Sequence, residues 1–424
     1  MILEDLVGRL RRHSVLVRMF SSAVTNQALL SASNLLVGLA LIRGAPDEEY
    51  GYYLLVVNTI LLLTSLQGSF LHPTMSMRVA TVAPAERADL IGGLLRAQNR
   101  LLARVAASAV ALLLVAWLAH LVNDRLAVLL VAGIVASSVA LYREYFRTVF
   151  FVIRLPHDLL KADVLYALAQ LVGVALATAT ASPAVATLLF SSLAALVGAL
   201  RLSHTLNRRG EINRNAAPGV WREISNHGGW SAAGSAAHWM FSQGYNYVVA
   251  GVLDVASVSA LGATRLLLMP INLMSSGVGP LMMPFAAEWL QEFGPKVVLR
   301  RVVLISLALV VLAGGYLLLM WFARDWIFDH VMHKHFAHAS ALLAAWSATF
   351  LLTIFRDQLR TFPATFGKFK HLFMATIIGA LVSLTLCYLG VKAFGVVGAP
   401  IAVLFGELLN TLFIVFLSFQ LVRG

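Results

Sequence analysis

Runs of about twenty apolar residues recur along the whole 424-residue chain, and nothing else constrains its fold as strongly. The hydrocarbon core of a bilayer is about 30 Å thick, so a helix rising about 1.5 Å per residue needs about 20 apolar residues to cross it. Twelve such runs are read, at 19–42, 52–72, 101–122, 126–147, 162–180, 184–201, 231–253, 257–284, 299–323, 338–356, 370–391 and 396–420. The fifth and sixth are separated only by a small-residue turn at Ser182 and Pro183. The eighth holds Pro270, Pro280 and Pro284 and is expected to be kinked or broken. AVILMFWYC residues make up 59% of the chain and charged residues only 12%, with a mean hydropathy of +0.82. A soluble surface needs more charge than that, which excludes a soluble enzyme and a disordered chain. The lone cysteine, Cys387, excludes a disulfide framework and a cysteine-based metal site. The expected fold class is an all-α polytopic membrane protein of twelve transmembrane helices.

The net charge of +12 first suggests nucleic acid, but the spans give it another meaning. When the loops are assigned alternately to two sides, 26 of the 32 Lys and Arg residues fall on one side and five on the other, while Arg265 stays inside a span. The positive-inside rule then places both termini in the cytoplasm, and no nucleic-acid partner is expected. Residues 1–18 combine Arg9, Arg11, Arg12 and Arg18 with apolar residues at helical spacing, which reads as an interfacial amphipathic helix rather than a cleavable signal peptide.

Three local patterns return at nearly one offset. Arg143-Glu144-x-x-Arg147-Thr148 recurs as Arg356-Asp357-x-x-Arg360-Thr361, 213 residues later. Asn34 before Tyr50-Gly51 matches Asn246 before Leu261-Gly262, and Pro183 matches Pro400. A shared offset points to two six-helix halves, 19–201 and 230–424, joined by a basic cytoplasmic linker at 202–229. An even number of spans per half makes the repeat parallel, an arrangement known among alternating-access transporters that bind substrate between halves.

Polar groups inside the spans are the candidate working parts, because a charge at a helix centre costs about 2.5–3.5 kcal/mol on insertion scales. Arg265 sits near mid-membrane, where a guanidinium suits an anionic group such as phosphate or a structural ion pair. Glu407, at similar depth in the last span, reads as an ion-coupling carboxylate, a partner for Arg265 or a packing residue. The first span carries Asn26, Gln27 and Asn34, and the seventh carries His238, Gln243 and Asn246. These suit a water- or sugar-lined path and helix–helix hydrogen bonds equally well. Arg143, Arg147, Arg356 and Arg360, at the cytoplasmic ends of the fourth and tenth spans, read as a gate, a phosphate-capture site or interfacial anchors. His330, His333, His335 and His338 cluster in an outer loop, but their spacing does not fit a two-histidine helical metal site, and no metal is expected. No phosphate-binding Gly-x4-Gly-Lys-Ser/Thr stretch occurs, so transport would draw on an ion gradient, the membrane potential or the substrate gradient.

Asn26-Gln27 through Ser33-Asn34-Leu35-Leu36, followed by Glu49-Tyr50-Gly51-Tyr52-Tyr53-Leu54, resemble the first helix, the short acidic outer loop and the second-helix entry of Wzx-type polysaccharide flippases. Those proteins belong to the multidrug/oligosaccharidyl-lipid/polysaccharide exporter (MOP) superfamily, and the resemblance in topology and spacing covers the whole chain. It implies a flippase for undecaprenyl-pyrophosphate-linked oligosaccharide in a bacterial inner membrane, serving surface polysaccharide such as O-antigen or exopolysaccharide. It also implies a cationic cavity between two lobes, with Arg265 where that family places cavity cations. Membrane lipids, a polysaccharide polymerase and glycosyltransferases are the implied partners, with no cofactor beyond H+ or Na+ coupling. Lipid II flippases of the superfamily are typically longer, with fourteen spans, and its multidrug exporters commonly use intramembrane acids in the N-terminal half. A cation-coupled multidrug exporter and a non-transporting membrane partner of a polysaccharide synthesis complex are the alternatives.

Overall fold

The computed structural model describes residues 2–79, 82–216 and 221–423. The side chains of residues 1–20, 221–228 and a few others within helices lie outside the described set. With them go the amphipathic face expected over 1–18 and part of the linker expected over 202–229.

No strand occurs among the described residues. The helices in chain order are α1 (Ile2–Gly44), α2 (Asp47–Val79), α3 (Pro84–Leu118), α4 (Asp124–Val152), α5 (Pro156–Ala177), α6 (Pro183–Arg208), α7 (Trp221–Gln243), α8 (Tyr245–Val252), α9 (Val255–Leu266), α10 (Met269–Trp326), α11 (Ala339–Leu359), α12 (Thr361–Thr365), α13 (Phe369–Phe394) and α14 (Gly398–Arg423). Nine helical stretches among the described residues are long and apolar enough to cross a membrane. Three of the nine are composites, one of them Ala339–Thr365, which joins α11 and α12. Another, Met282–Met332, runs from α10, broken at Gly294, into a π-helical turn at Ile327–Met332; the third is α13 and α14 joined by a short 3-10 turn at Gly395–Val397.

Local chemistry sets several helix starts. Pro84, Pro156 and Pro183 stand in the first turns of α3, α5 and α6, where a missing N–H breaks no helical bond. Asn123 and Asp254 cap α4 and α9, accepting from the Leu126 and Ser257 N–H groups at 2.9 and 2.6 Å. The break expected in the eighth span falls between α9 and α10, so that Pro270 stands at the start of α10, while Pro280 and Pro284 continue within helix. A second break, at Gly244, separates α7 from α8 and has no proline to announce it.

Helices α4 and α11 run on to Val152 and Leu359, past the ends expected at 147 and 356. Arg143 and Arg356 are therefore buried within helices rather than standing at span ends. An arginine marks a span end only when water must neutralise it; here acids on neighbouring helices do so.

The chain forms two compact units, Met1–Val37 with Val56–Ser235, and Gly38–Leu55 with Ala236–Gly424. The core of the first unit gathers Leu71 and Met75 of α2, Ile91 and Leu94 of α3, Tyr145, Phe146 and Phe150 of α4, and Leu202 and Leu206 of α6. Tyr145 buries its ring there and donates its hydroxyl to the Ile91 carbonyl at 2.6 Å. The second unit packs Met282, Val298 and Val302 of α10 against Phe362, Leu372 of α13 and Ile414 of α14.

The turn between α1 and α2 belongs to the second unit. A Cβ at Gly51 would stand 2.1 Å from the Val255 carbonyl oxygen, so only glycine permits this approach. Lys334 pairs with Asp47 and donates to the Ala45 carbonyl at 2.6 Å, and Tyr247 donates its hydroxyl to the Leu55 carbonyl at 2.9 Å.

Candidate functional site

Arg265 lies in the last turn of α9, 11 residues beyond the Asp254 cap and so about 16 Å along the helix axis. A break in a membrane helix frees backbone groups that other donors must satisfy. At the Gly244 break, Arg265 Nη1 donates to the Ser242 carbonyl at 3.1 Å and Asn246 Nδ2 donates to the Gln243 carbonyl at 3.1 Å. Arg265 Nη1 also donates to Gln243 Oε1 and to the Tyr245 hydroxyl, both at 2.8 Å. The rings of Tyr245, Trp346 and Phe350 stand around the guanidinium, their centroids 5.5–5.9 Å from its carbon. Among the described residues no carboxylate pairs with Arg265, and its hydrogen bonds all leave from Nη1. Neutral acceptors and aromatic faces thus orient the cation without cancelling its charge.

Glu407 does not partner Arg265. Its carboxylate takes Arg356 Nη1 at 2.5 Å, and Arg356 Nη2 reaches Asp357 at 2.6 Å. Arg356 and Glu407 are 3% and 5% exposed, so the pair is out of water. The neighbouring Gly406 makes that depth attainable: a Cβ there would lie 2.7 Å from Ser383 Cβ and 2.8 Å from the Phe241 ring. His238 is exposed and within electrostatic reach of Arg265, Arg356, Asp357 and Arg360, so the two arginine groups of the second unit share one region. Arg360 is half-buried, and Asn246 is buried as the cap of the helix break.

The first unit holds its own buried charge cluster. Asp163 of α5 is fully buried and pairs with Arg143, while Arg147 Nε lies 3.3 Å from its second oxygen. Asn26 Nδ2 of α1 donates to the same carboxylate at 2.8 Å. Arg147 also reaches Glu144 at 2.8 Å, and the Arg143 guanidinium lies 3.6 Å from the centre of the Tyr166 ring. Seven residues further along both helices, Ser33 donates to Gln170 Oε1 at 3.3 Å, so α1 and α5 run side by side in one direction. Gln27 and Asn34, read with Asn26 as one group, are exposed and take no part in this cluster.

The arginines that repeat at 213 residues, Arg143 and Arg356, are therefore both buried and both bound to an acid from another helix. The acids do not correspond, since one comes from α5 and the other from α14. Reading the sequence missed Asp163 and the Trp346–Phe350 face. Asp163 was visible as the one acid in the run 162–180, but it is the second residue of the run and passes for a boundary residue.

The clustered histidines go to separate neighbours. His333 Nε2 stands 3.4 Å from Arg43 Nη2, His335 stands 3.5 Å from Asp329, and His330 stacks on Trp326. Among the described residues no group of three His, Cys, Asp or Glu is placed to hold a metal ion.

No family model matches the chain, and no curated protein matches it either. Solved structures do. A multidrug resistance MATE family transporter of the MOP superfamily, in an inward-facing conformation, superposes with a TM-score of 0.72 at 13% identity, covering 92% of this chain and 94% of that one. The lipid II flippase MurJ, in an inward closed conformation, gives 0.70 at 12% identity, covering 94% and 86%. A MOP superfamily transporter from Pyrococcus furiosus, described by the reverse polarity of its binding pocket, gives 0.65 at 14% identity, covering 97% and 96%. Multi-pass, all-helical and alike over nearly its full length, the chain has the fold of the MOP superfamily transporters.

Proposed function

We propose that the protein is an alternating-access flippase that carries undecaprenyl-pyrophosphate-linked oligosaccharide from the cytoplasmic to the periplasmic leaflet of a bacterial inner membrane, for surface polysaccharide synthesis. The observation that carries this reading is Arg265, a half-buried cation of the second unit with no carboxylate partner among the described residues. A guanidinium held by neutral acceptors keeps its attraction for an anion, and pyrophosphate accepts its fork of donors. Both termini lie in the cytoplasm on this reading, and the two six-helix halves rock about the substrate. The resemblance of the fold to MurJ, named as a lipid II flippase, supports a lipid-linked substrate. Deleting the gene is expected to leave lipid-linked sugar on the cytoplasmic leaflet and to remove surface polysaccharide. Normal polysaccharide together with raised dye sensitivity would contradict the proposal.

A cation-coupled multidrug exporter is the second reading, favoured by the similar MATE transporters and by the buried acid Asp163 in the first unit. Asp163 is already engaged by two guanidinium groups, which leaves it poorly suited to a cationic drug. Coupling is assigned to Glu407. Glu407→Gln is expected to weaken or remove the dependence of transport on the proton gradient, measured in energised vesicles with and without an uncoupler. An unchanged dependence would make Glu407 a structural tie for Arg356.

A further inference from the structure

Arg265 is held by one of its three nitrogens. Nη1 donates to the Ser242 carbonyl at 3.1 Å, and to Gln243 Oε1 and the Tyr245 hydroxyl at 2.8 Å, while Nε and Nη2 have no acceptor among the described residues. The Nε–Nη2 edge of a guanidinium can meet two oxygens of one phosphate at once. Neutral acceptors on α7 and α8 therefore fix the direction of the side chain and leave that edge to an anion.

Helix register shows what stands beside it. The rings of Tyr245 and Trp346 are 5.1 Å apart, and the Phe241 ring lies 5.8 Å from the Arg356 guanidinium. Moving back along this stretch of the chain thus moves forward along α11, so α7 and α11 run antiparallel. His238 stands one turn of α7 before Ser242, on the same face and about 6 Å along the axis. It is exposed and makes no hydrogen bond to any other described residue. The charged groups that reach its ring are Arg356, Asp357 and Arg360 of α11 and Arg265 of α9. Arg356 is already bound by Asp357 and Glu407. Neither Arg265 nor Arg360 has an ion pair among the described residues, so the surroundings of His238 favour an anion. Histidine alone in this group changes its charge near neutral pH, and its charged form donates from both ring nitrogens.

We propose that Arg265 and His238 together grip the two phosphates of a pyrophosphate diester, Arg265 through its Nε–Nη2 edge and His238 as an imidazolium, so that binding takes up a proton. The inference rests on the reading of Arg265 as the anion site and adds to it a second contact, a preference for two linked charges and a dependence on pH. The test is isothermal titration calorimetry of the full-length protein in detergent, with P1,P2-dimethyl pyrophosphate and dimethyl phosphate as probes. Each phosphorus of these probes carries one charge throughout the range used, so only the protein titrates. The wild type is expected to bind the pyrophosphate about tenfold more tightly at about pH 5.5 than at about pH 8. Heats in buffers of different ionisation enthalpy should show proton uptake at the higher pH. Dimethyl phosphate should bind more weakly and with less dependence on pH. His238→Gln is expected to remove the dependence and the proton uptake without lowering the unfolding temperature, and His238→Lys to bind tightly at both pH values. Pyrophosphate binding that is independent of pH in the wild type, or equally dependent on it in His238→Gln, would overturn the proposal and leave Arg265 as a lone anion contact. Binding of neither probe by the wild type would remove the reading of Arg265 and this inference with it.

Discussion

Arg265→Ala is expected to abolish transport of lipid-linked saccharide at normal membrane levels. Removing one member of a charge-assisted contact at this half-buried site costs about 2–3 kcal/mol, which is a loss of about 30-fold to about 150-fold. Arg265→Lys keeps the charge and loses the planar fork, so part of the activity should remain. The residue has a second task, because its Nη1 satisfies the Ser242 carbonyl at the break between α7 and α8. A fall in transport must therefore be read beside the unfolding temperature. The substrate role predicts that Arg265→Lys and Arg265→Gln fold alike and differ in transport, the charge being what the pyrophosphate requires. Full activity in the alanine variant, or equal activity in lysine and glutamine variants, would remove Arg265 from the substrate site.

Asp163→Ala should have the largest effect on stability. It leaves Arg143, Arg147 and Asn26 aimed at an acceptor that no longer exists, inside a part of the protein closed to water. Breaking a buried ion pair from one side costs about 3–5 kcal/mol, a large share of a net stability of about 5–15 kcal/mol. Little folded protein should reach the membrane, and the unfolding temperature of what does should drop. Asp163→Asn, which keeps one acceptor oxygen, should be milder. Pairing Asp163→Leu with Arg143→Leu should recover part of the loss, because Arg147 retains Glu144 and only Asn26 is left with an unmet donor. A single Asp163→Ala variant as stable as the wild type would mean the cluster is not a tie.

The all-helical, apolar character of the chain and the recurrence of Arg143 as Arg356 could be read from the chain because each is a local pattern, fixed by periodicity or spacing. The pairings could not. Glu407 and Arg265 share an estimated depth, yet depth along a helix says nothing about which neighbour that face meets. Gly406, which admits Phe241 and Ser383 and sinks Glu407 beside Arg356, has no distinctive sequence signal. The break after α7 was equally hidden: Gly244 alone does not announce one, and the donors that complete it, Arg265 and Asn246, come from beyond the turn. Prolines did point to a break in the eighth span, but of the three only Pro270 stands at it. Asp163 was obscured by the assumption that a charge near the edge of an apolar run marks the membrane surface. Two arginines four residues apart, with Asn26 on another helix, are what keep that acid inside.

Transport itself is the central claim, and reconstitution tests it most directly. The purified protein would be placed in liposomes carrying a fluorescent polyprenyl-pyrophosphate oligosaccharide, and the fraction of label reached by a membrane-impermeant quencher would be followed over time. The account predicts that label moves between leaflets at a rate proportional to the amount of protein, and that Arg265→Ala vesicles match protein-free ones. Movement no faster than in protein-free vesicles, with a cationic dye exchanged for protons by the same preparation, would contradict it.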